Sequence, residues 1–232
     1  MVPLTLVVSF ALAFLLSIIN FSSELFRFKG LPGRHDILAF AGGFSIAYLF
    51  TALLPESIRA EGLLGNALYV SILAGFVLFR LAEVFVYKHA QAKQRKAELK
   101  LEHSLAFFVY HVLLGVSIGF FTSQSIREGV LFFIPVALHA VASSAALHEL
   151  HGSITSNLVT RFVLAAAPVL GAFLSFVLPI AVFDVLIGLV VGALFFVVVK
   201  EFLPDARNAR PGLFLVGTVT FLLVKLALGW FI

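Results

Sequence analysis

The sequence predicts an all-α integral membrane protein with eight transmembrane helices, and three observations carry that expectation. Hydrophobic residues make up 61% of the 232 and charged residues 12%, against about 25% charged in a soluble domain. No soluble core of this length hides so much apolar surface. The apolar residues also fall into runs close to the ~20 residues that cross a bilayer. Finally, one element is written twice. Gly43 to Glu56 ends in Leu53-Leu54-Pro55-Glu56, and Gly192 to Asp205 ends in Phe202-Leu203-Pro204-Asp205. Aligning the proline–acid pairs sets Gly43 on Gly192, and such copies in a very hydrophobic chain mark inverted-repeat architectures.

Eight spans follow along the chain: 2–19, 36–54, 64–87, 104–121, 130–149, 158–179, 181–200 and 213–232. Polar or breaker clusters separate them, among them Lys29-Gly30-Leu31-Pro32-Gly33-Arg34, Pro55-Glu56-Ser57 and Arg210-Pro211-Gly212. The pair 158–179 and 181–200 divides near Pro179, and reading it as one span gives the alternative count of seven. The first segment lacks a positive n-region and a small-x-small cleavage site, so it reads as a span and not a signal peptide. The whole chain, 1–232, reads as one polytopic domain.

Lysine and arginine orient the bundle. One set of alternate loops holds Arg27, Lys29, Arg34, Lys88, Lys93, Arg95, Lys96, Lys100, Arg161, Lys200, Arg207 and Arg210, and the other holds only Arg59 and Arg127. Both termini are therefore expected outside, with loops 1–2, 3–4, 5–6 and 7–8 in the cytoplasm. Span 2 then runs in-to-out and span 7 out-to-in, which inverts the two copies. The net charge of +4 reflects this loop bias, and no basic stripe with interleaved aromatics points to nucleic acid. The longest loop, 88–103, is basic and helix-prone, a solvated linker near anionic headgroups. With no cysteines there are no disulfides and no thiolate metal sites.

Polar residues inside spans are costly and are the default functional candidates. The central ones are Tyr110, His111 and Ser117 on span 4 and His139, Ser143 and Ser144 on span 5. His111 and His139 stand near the middle of their spans, hence near mid-membrane depth. Two facing neutral imidazoles suit a borderline-soft cation such as zinc. A zinc site takes three or four protein ligands, and the spacing shows no strong third. The alternative is that the histidines bond to serine, tyrosine or backbone carbonyls and glue the helices. Arg80 and Glu83, three apart, read as a local ion pair. Lys200 and Glu201 lie at a cytoplasmic helix end where snorkelling is cheap. Lys225 either snorkels outward or pairs with a carboxylate. In His148-Glu149-Leu150-His151 the histidines are three apart, whereas a zinc peptidase needs them four apart with the glutamate between. The segment reads as a helix terminus or a loose metal-exit site, and no enzyme is expected.

In order and spacing these features resemble the Zrt/Irt-like (ZIP) divalent-metal transporters over nearly the whole chain. Leu53-Leu54-Pro55-Glu56 resembles that family's span-2 ending, Gly75-Phe76 and Glu83 its span 3, and Gly115-Val116-Ser117-Ile118-Gly119 its Gly-x-Ala-x-Gly of span 4. Pro168-Val169-Leu170-Gly171-Ala172 resembles span 6, and Phe202-Leu203-Pro204-Asp205 span 7. The resemblance implies an inverted relation of spans 1–3 and 6–8 and alternating access around a mid-membrane site. It further implies zinc or another divalent cation as substrate, and no permanently bound cofactor. Its surroundings would be the lipid bilayer of a cell or inner membrane, and a homodimer is compatible with it.

The departures fall at the metal centre. Tyr110 and Leu114 stand where the family's span 4 has its histidine and glutamate, and His111 takes the Asn/Ser place. On span 5 His139 fits, while Ala140, Ser143 and Ser144 replace the acids and glycine. Ala167 stands before the span-6 proline where an acid is common. On this reading His111 and His139 are metal ligands and Tyr110, Ser143 and Ser144 supporting groups, while His148 and His151, from their own place at a helix end, remain the loose exit site. Burying a divalent charge without anions is costly. Two rival readings follow: a ZIP-like scaffold or sensor that moves no metal, and a transporter of a less charged substrate.

Overall fold

The computed structural model describes residues 3–23, 34–59, 65–90, 96–151, 158–202 and 209–227. Among them the fold is all-helical, without strands: α1 (Leu4–Ser23), α2 (Arg34–Tyr48), a π-helical turn π1 (Leu49–Leu53), α3 (Leu54–Arg59), α4 (Ala67–Ala90), α5 (Lys96–Gln124), α6 (Ile126–His151), α7 (Leu158–Leu174), α8 (Ile180–Val197), a second π-turn π2 (Val198–Phe202) and α9 (Pro211–Ala227). Three segments are long and apolar enough to cross a membrane: Leu4–Ser22, His35–Leu53 and Phe107–Gln124. Four further apolar helices are shorter, Ala67–Ala82, Leu158–Leu174, Val185–Lys200 and Pro211–Ala227. The expected division near Pro179 is real. Ser175 to Leu178 turn, and Pro179, extended at φ −63° and ψ 147°, starts α8. Two other expectations shift. The helix carries on past Pro55 as α3, because the proline falls in a new first turn after π1. Helix α5 starts at Lys96, inside the segment expected as a loop.

Glycines set the packing by letting backbones meet. A Cβ on Gly43 would stand 1.9 Å from the Phe214 carbonyl oxygen, and one on Gly217 would stand 2.1 Å from that of Phe40. The same reciprocal contact joins Gly75 to Leu189 and Gly192 to Ile72, and again Gly115 to Pro168 and Gly171 to Val112. Three helix pairs are thereby seated on glycine: α2 with α9, α4 with α8, and α5 with α7. Small residues at such crossings gain dispersion where lipid supplies no hydrophobic drive.

Secondary contacts fix the directions. On α2 and α9, Asp36 pairs with Arg210 at 3.1 Å seven residues before the glycines, and Thr51 meets Lys225 eight residues after them. These helices run parallel. Gly188 against Ser71, and Gly119 against Ser175, place the other two pairs in parallel as well. Phe10 with Phe176 and Phe21 with Phe162 make α1 antiparallel to α7.

The helices sort into two groups of four. Helices α1, α5, α6 and α7 pack together, whereas the second group consists of two pairs, α2 with α9 and α4 with α8, joined through the π-turns, with π2 against α2 and π1 against α8. Aromatic rings meet across the seam: Phe120 on Phe183 at 4.4 Å, Tyr110 on Phe79 at 5.0 Å and Tyr48 on Phe132 at 6.2 Å. Such pairs contribute about 0.5–1.5 kcal/mol beyond area burial. The outer faces are strongly apolar, with Phe14, Val70, Leu73, Phe162, Val177, Leu215 and Leu223 all exposed. A soluble protein rarely exposes such continuous apolar patches.

Candidate functional site

Helix α5 carries the polar centre expected from the sequence, and its glycines explain the placement. Gly115 and Gly119 press α5 onto α7, which leaves Tyr110 to turn toward α4. His111 is 3% exposed, and its Nδ1–H donates to the Phe107 carbonyl one turn back at 2.9 Å. In the neutral ring this bond leaves the lone pair on Nε2, and metal-ligating histidines are commonly oriented by such a bond to a backbone carbonyl. The same bond also settles a histidine that only packs. The Phe107 ring covers the imidazole at 3.8 Å between centroids. Tyr110 is buried, its ring edge-on to Phe79 of α4 and 5.3 Å from the His111 ring. It therefore stands on the seam between the two helix groups. Ser117 is buried, but its hydroxyl donates to the Leu113 carbonyl of its own helix at 3.0 Å.

His139, Ser143, Ser144, His148 and His151 all lie on α6, which packs against α5. Their side chains fall outside the described residues, so helix adjacency is the extent of what brings His139 toward His111. The side chains of Glu83 and Asp184 and the segment Leu203-Pro204-Asp205 fall outside them too. Among the described residues no three histidine, aspartate or glutamate side chains converge into a metal-binding group. Leu114, the position where the resembling family has a glutamate, is fully buried.

Of three further polar features, two went unread in the sequence and one, Lys225, was read with two alternatives. The first is the pair of π-turns. Each ends two residues before a proline, Leu53 before Pro55 and Phe202 before Pro204, and each follows the aligned glycine by six residues. Proline lacks the N–H that the carbonyl four residues back would accept, and this was the available signal. In π1 the Leu54 N–H reaches five residues back to the Leu49 carbonyl. π-Turns occur often at functional sites.

The second feature is Lys225. Of the two expected outcomes, snorkelling outward is overturned by its burial. It is 6% exposed, and its ammonium donates to the Thr51 carbonyl in π1. The third is Ser45 on α2, 2% exposed, whose Oγ has no hydrogen-bond partner among the described residues. At the opposite end of α1, Arg161 donates to the Phe21 carbonyl at 2.7 Å and lies 4.6 Å over the Phe21 ring. That guanidinium satisfies a helix C-terminal carbonyl in its favoured electrostatic setting. No protein-family model and no curated protein matches the chain.

Proposed function

We propose that the chain is an integral membrane transporter of ZIP-like fold, moving a divalent metal ion of the zinc type through an atypical site. The observation that carries this reading is the duplicated π-turn. The same backbone irregularity occurs at the same distance from glycine and proline in both copies of the sequence element. Broken helices in repeat-related positions are the usual pointer to a transporter's binding region.

The helix directions support an eight-span topology. The parallel pairs join spans 2 and 8, 3 and 7, and 4 and 6, whereas the antiparallel pair joins spans 1 and 6. That is what alternation through eight crossings gives. Arg161 on Phe21 and Arg210 on Asp36 each link two helix ends that the loop charges assign to the cytoplasm. Alternating access would be one four-helix group moving against the other across the aromatic seam. His111 and His139 would bind the ion as substrate, with Tyr110, Ser143 and Ser144 as weaker partners and His148 and His151 at a cytoplasmic exit.

Calorimetric zinc titration of the purified full-length protein tests the site. Wild type is expected to bind, and His111→Ala and His139→Ala each to lose at least about tenfold in affinity. Zinc binding that both variants leave unchanged would move the ligands elsewhere. A second reading, a ZIP-like scaffold or sensor or a carrier of a less charged substrate, is favoured by one observation: among the described residues no group of three histidine, aspartate or glutamate side chains forms around His111 or elsewhere. Wild type that binds no zinc would favour this second reading.

A further inference from the structure

We propose that Ser45 of α2 and the Leu131 carbonyl of α6 hold one buried water between them, a polar joint across the seam of the two helix groups. Ser45 lies on a sealed face. Ala41, Ser45, Tyr48, Leu49 and Ala52 recur at helical spacing and are all buried. They occupy the side of α2 turned away from Gly43 and Thr51, which meet α9. The Ser45 hydroxyl also behaves unlike others in the fold. Ser9, Ser17, Ser71, Ser117 and Thr122 each donate to a carbonyl three or four residues back in their own helix, the ordinary way for a helix to hide a hydroxyl. Ser45 Oγ has no hydrogen-bond partner among the described residues.

Helix α6, which packs on α2 across the seam, has the complementary defect. Pro135 is buried inside α6 and has no N–H, so the Leu131 carbonyl four residues back loses its α-helical donor. Leu131 and Phe132 are fully buried. Phe50 meets Phe195, and π2, which follows Phe195, packs on α2, which precedes Phe50; α2 and α8 are therefore antiparallel. Phe120 on Phe183 and Tyr110 on Phe79, with α4 parallel to α8, set α5 antiparallel to α8. The contact of Gly129 with Thr122 folds α6 back along α5. Helices α2 and α6 thus run antiparallel, and Tyr48 on Phe132 fixes their register. Ser45, three residues before Tyr48, falls level with Pro135, three residues after Phe132. The Leu131 carbonyl points along the helix toward that same level.

An unmet hydroxyl and a carbonyl without its helical donor are each costly in a sealed apolar setting. Where proline removes a helix hydrogen bond inside a membrane, hydroxyls of neighbouring helices and ordered waters meet the freed carbonyl. Ser45 brings a donor to the right level but touches no acceptor directly. One water accepts its proton and donates to the Leu131 carbonyl, and so meets both needs at once. The ring contacts elsewhere on the seam, such as Phe120 on Phe183, are made without a polar group. The joint is therefore a hydrated point in an otherwise apolar contact. It uses neither His111 nor Lys225, and it stands whether or not the chain binds zinc.

Two measurements on the full-length protein in detergent test the joint. The first is a double-mutant cycle read by thermal unfolding. Ser45→Ala should lower the unfolding temperature by about 2–4 °C. In a Pro135→Ala background, where the new N–H at residue 135 reaches the Leu131 carbonyl, the same change should leave the temperature unmoved or raise it. Pro135→Gly restores the same N–H and serves if Pro135→Ala does not fold. The second is radiolytic footprinting, in which radicals formed from bound water oxidise the side chains beside it. Phe132 should be oxidised in wild type despite its burial. In Ser45→Ala its oxidation should fall to that of Phe221, which is equally buried. Three results would each overturn the proposal: Ser45→Ala without cost in the wild-type background, equal losses in both backgrounds, or a wild-type Phe132 no more reactive than Phe221.

Discussion

The two π-turns share a backbone and differ in chemistry. Each follows its glycine by six residues and precedes its proline by two, and each helix that bears one is seated by glycine on a parallel neighbour. Eight residues past the glycines, however, the first pair carries Thr51 and Lys225, with the lysine drawn inside. At the matching positions the second pair carries Lys200 and Glu83. Lys200 is exposed, its ammonium 6.0 Å from the centre of the Phe196 ring. The lesson is that glycine and proline, which act on the backbone, preserve the repeat, whereas the side chains have made its halves unequal.

The largest expected effects fall on what the halves share. Gly43→Ala and Gly192→Ala each thrust a Cβ to 1.9 Å from a backbone carbonyl oxygen. Neither backbone yields cheaply, so each should cost about 3 kcal/mol or more in reversible unfolding in detergent. A marked difference between the two would break the equivalence. Lys225→Met and Lys200→Met come next and probe where the halves diverge. Removing the buried ammonium should cost about 2–3 kcal/mol, through the unmet Thr51 carbonyl. Removing the exposed one should change stability by no more than about 0.5 kcal/mol. Equal losses would mean that both turns are braced alike.

A third test works at the candidate ion site. Leu114 is fully buried, so Leu114→Glu with Ser143→Glu should destabilise the apoprotein. Zinc should then restore stability, by about 2.7 kcal/mol at a hundred times Kd. Residue 143 lies one turn from His139 and shares its face. Thermal shifts without zinc response in the double variant would place the histidines away from any metal path. The smallest effect is a control: a Cβ at Gly212 meets nothing within 4 Å, so Gly212→Ala should be neutral or stabilise by up to about 1 kcal/mol.

What could be read in advance follows from which forces are local. Helix positions came from hydropathy runs, and the repeat came from Gly43, Pro55, Gly192 and Pro204, whose backbone effects do not depend on neighbours. Burial of Tyr110 and His111 followed from their mid-span positions. The π-turns were legible in principle, since each proline strips a donor from a carbonyl four residues back, but several relaxations of that defect exist and sequence does not choose among them. Lys225 was illegible for a different reason. Its direction depends on how closely α9 approaches α2, which Gly217 and Gly43 decide together from 174 residues apart in the chain. Ser45 shows the same limit, because only packing says which face of α2 is sealed.

Sided labelling tests the central claim, the inversion of the two halves, most directly. The chain has no cysteine, so Glu56→Cys and Asp205→Cys each introduce a single reactive thiol just after one of the two prolines. In oriented membrane vesicles with an impermeant maleimide, residue 56 is expected to label from the outside and residue 205 from the cytoplasmic side. Labelling of both from the same side would contradict the inverted repeat and the transporter reading built on it.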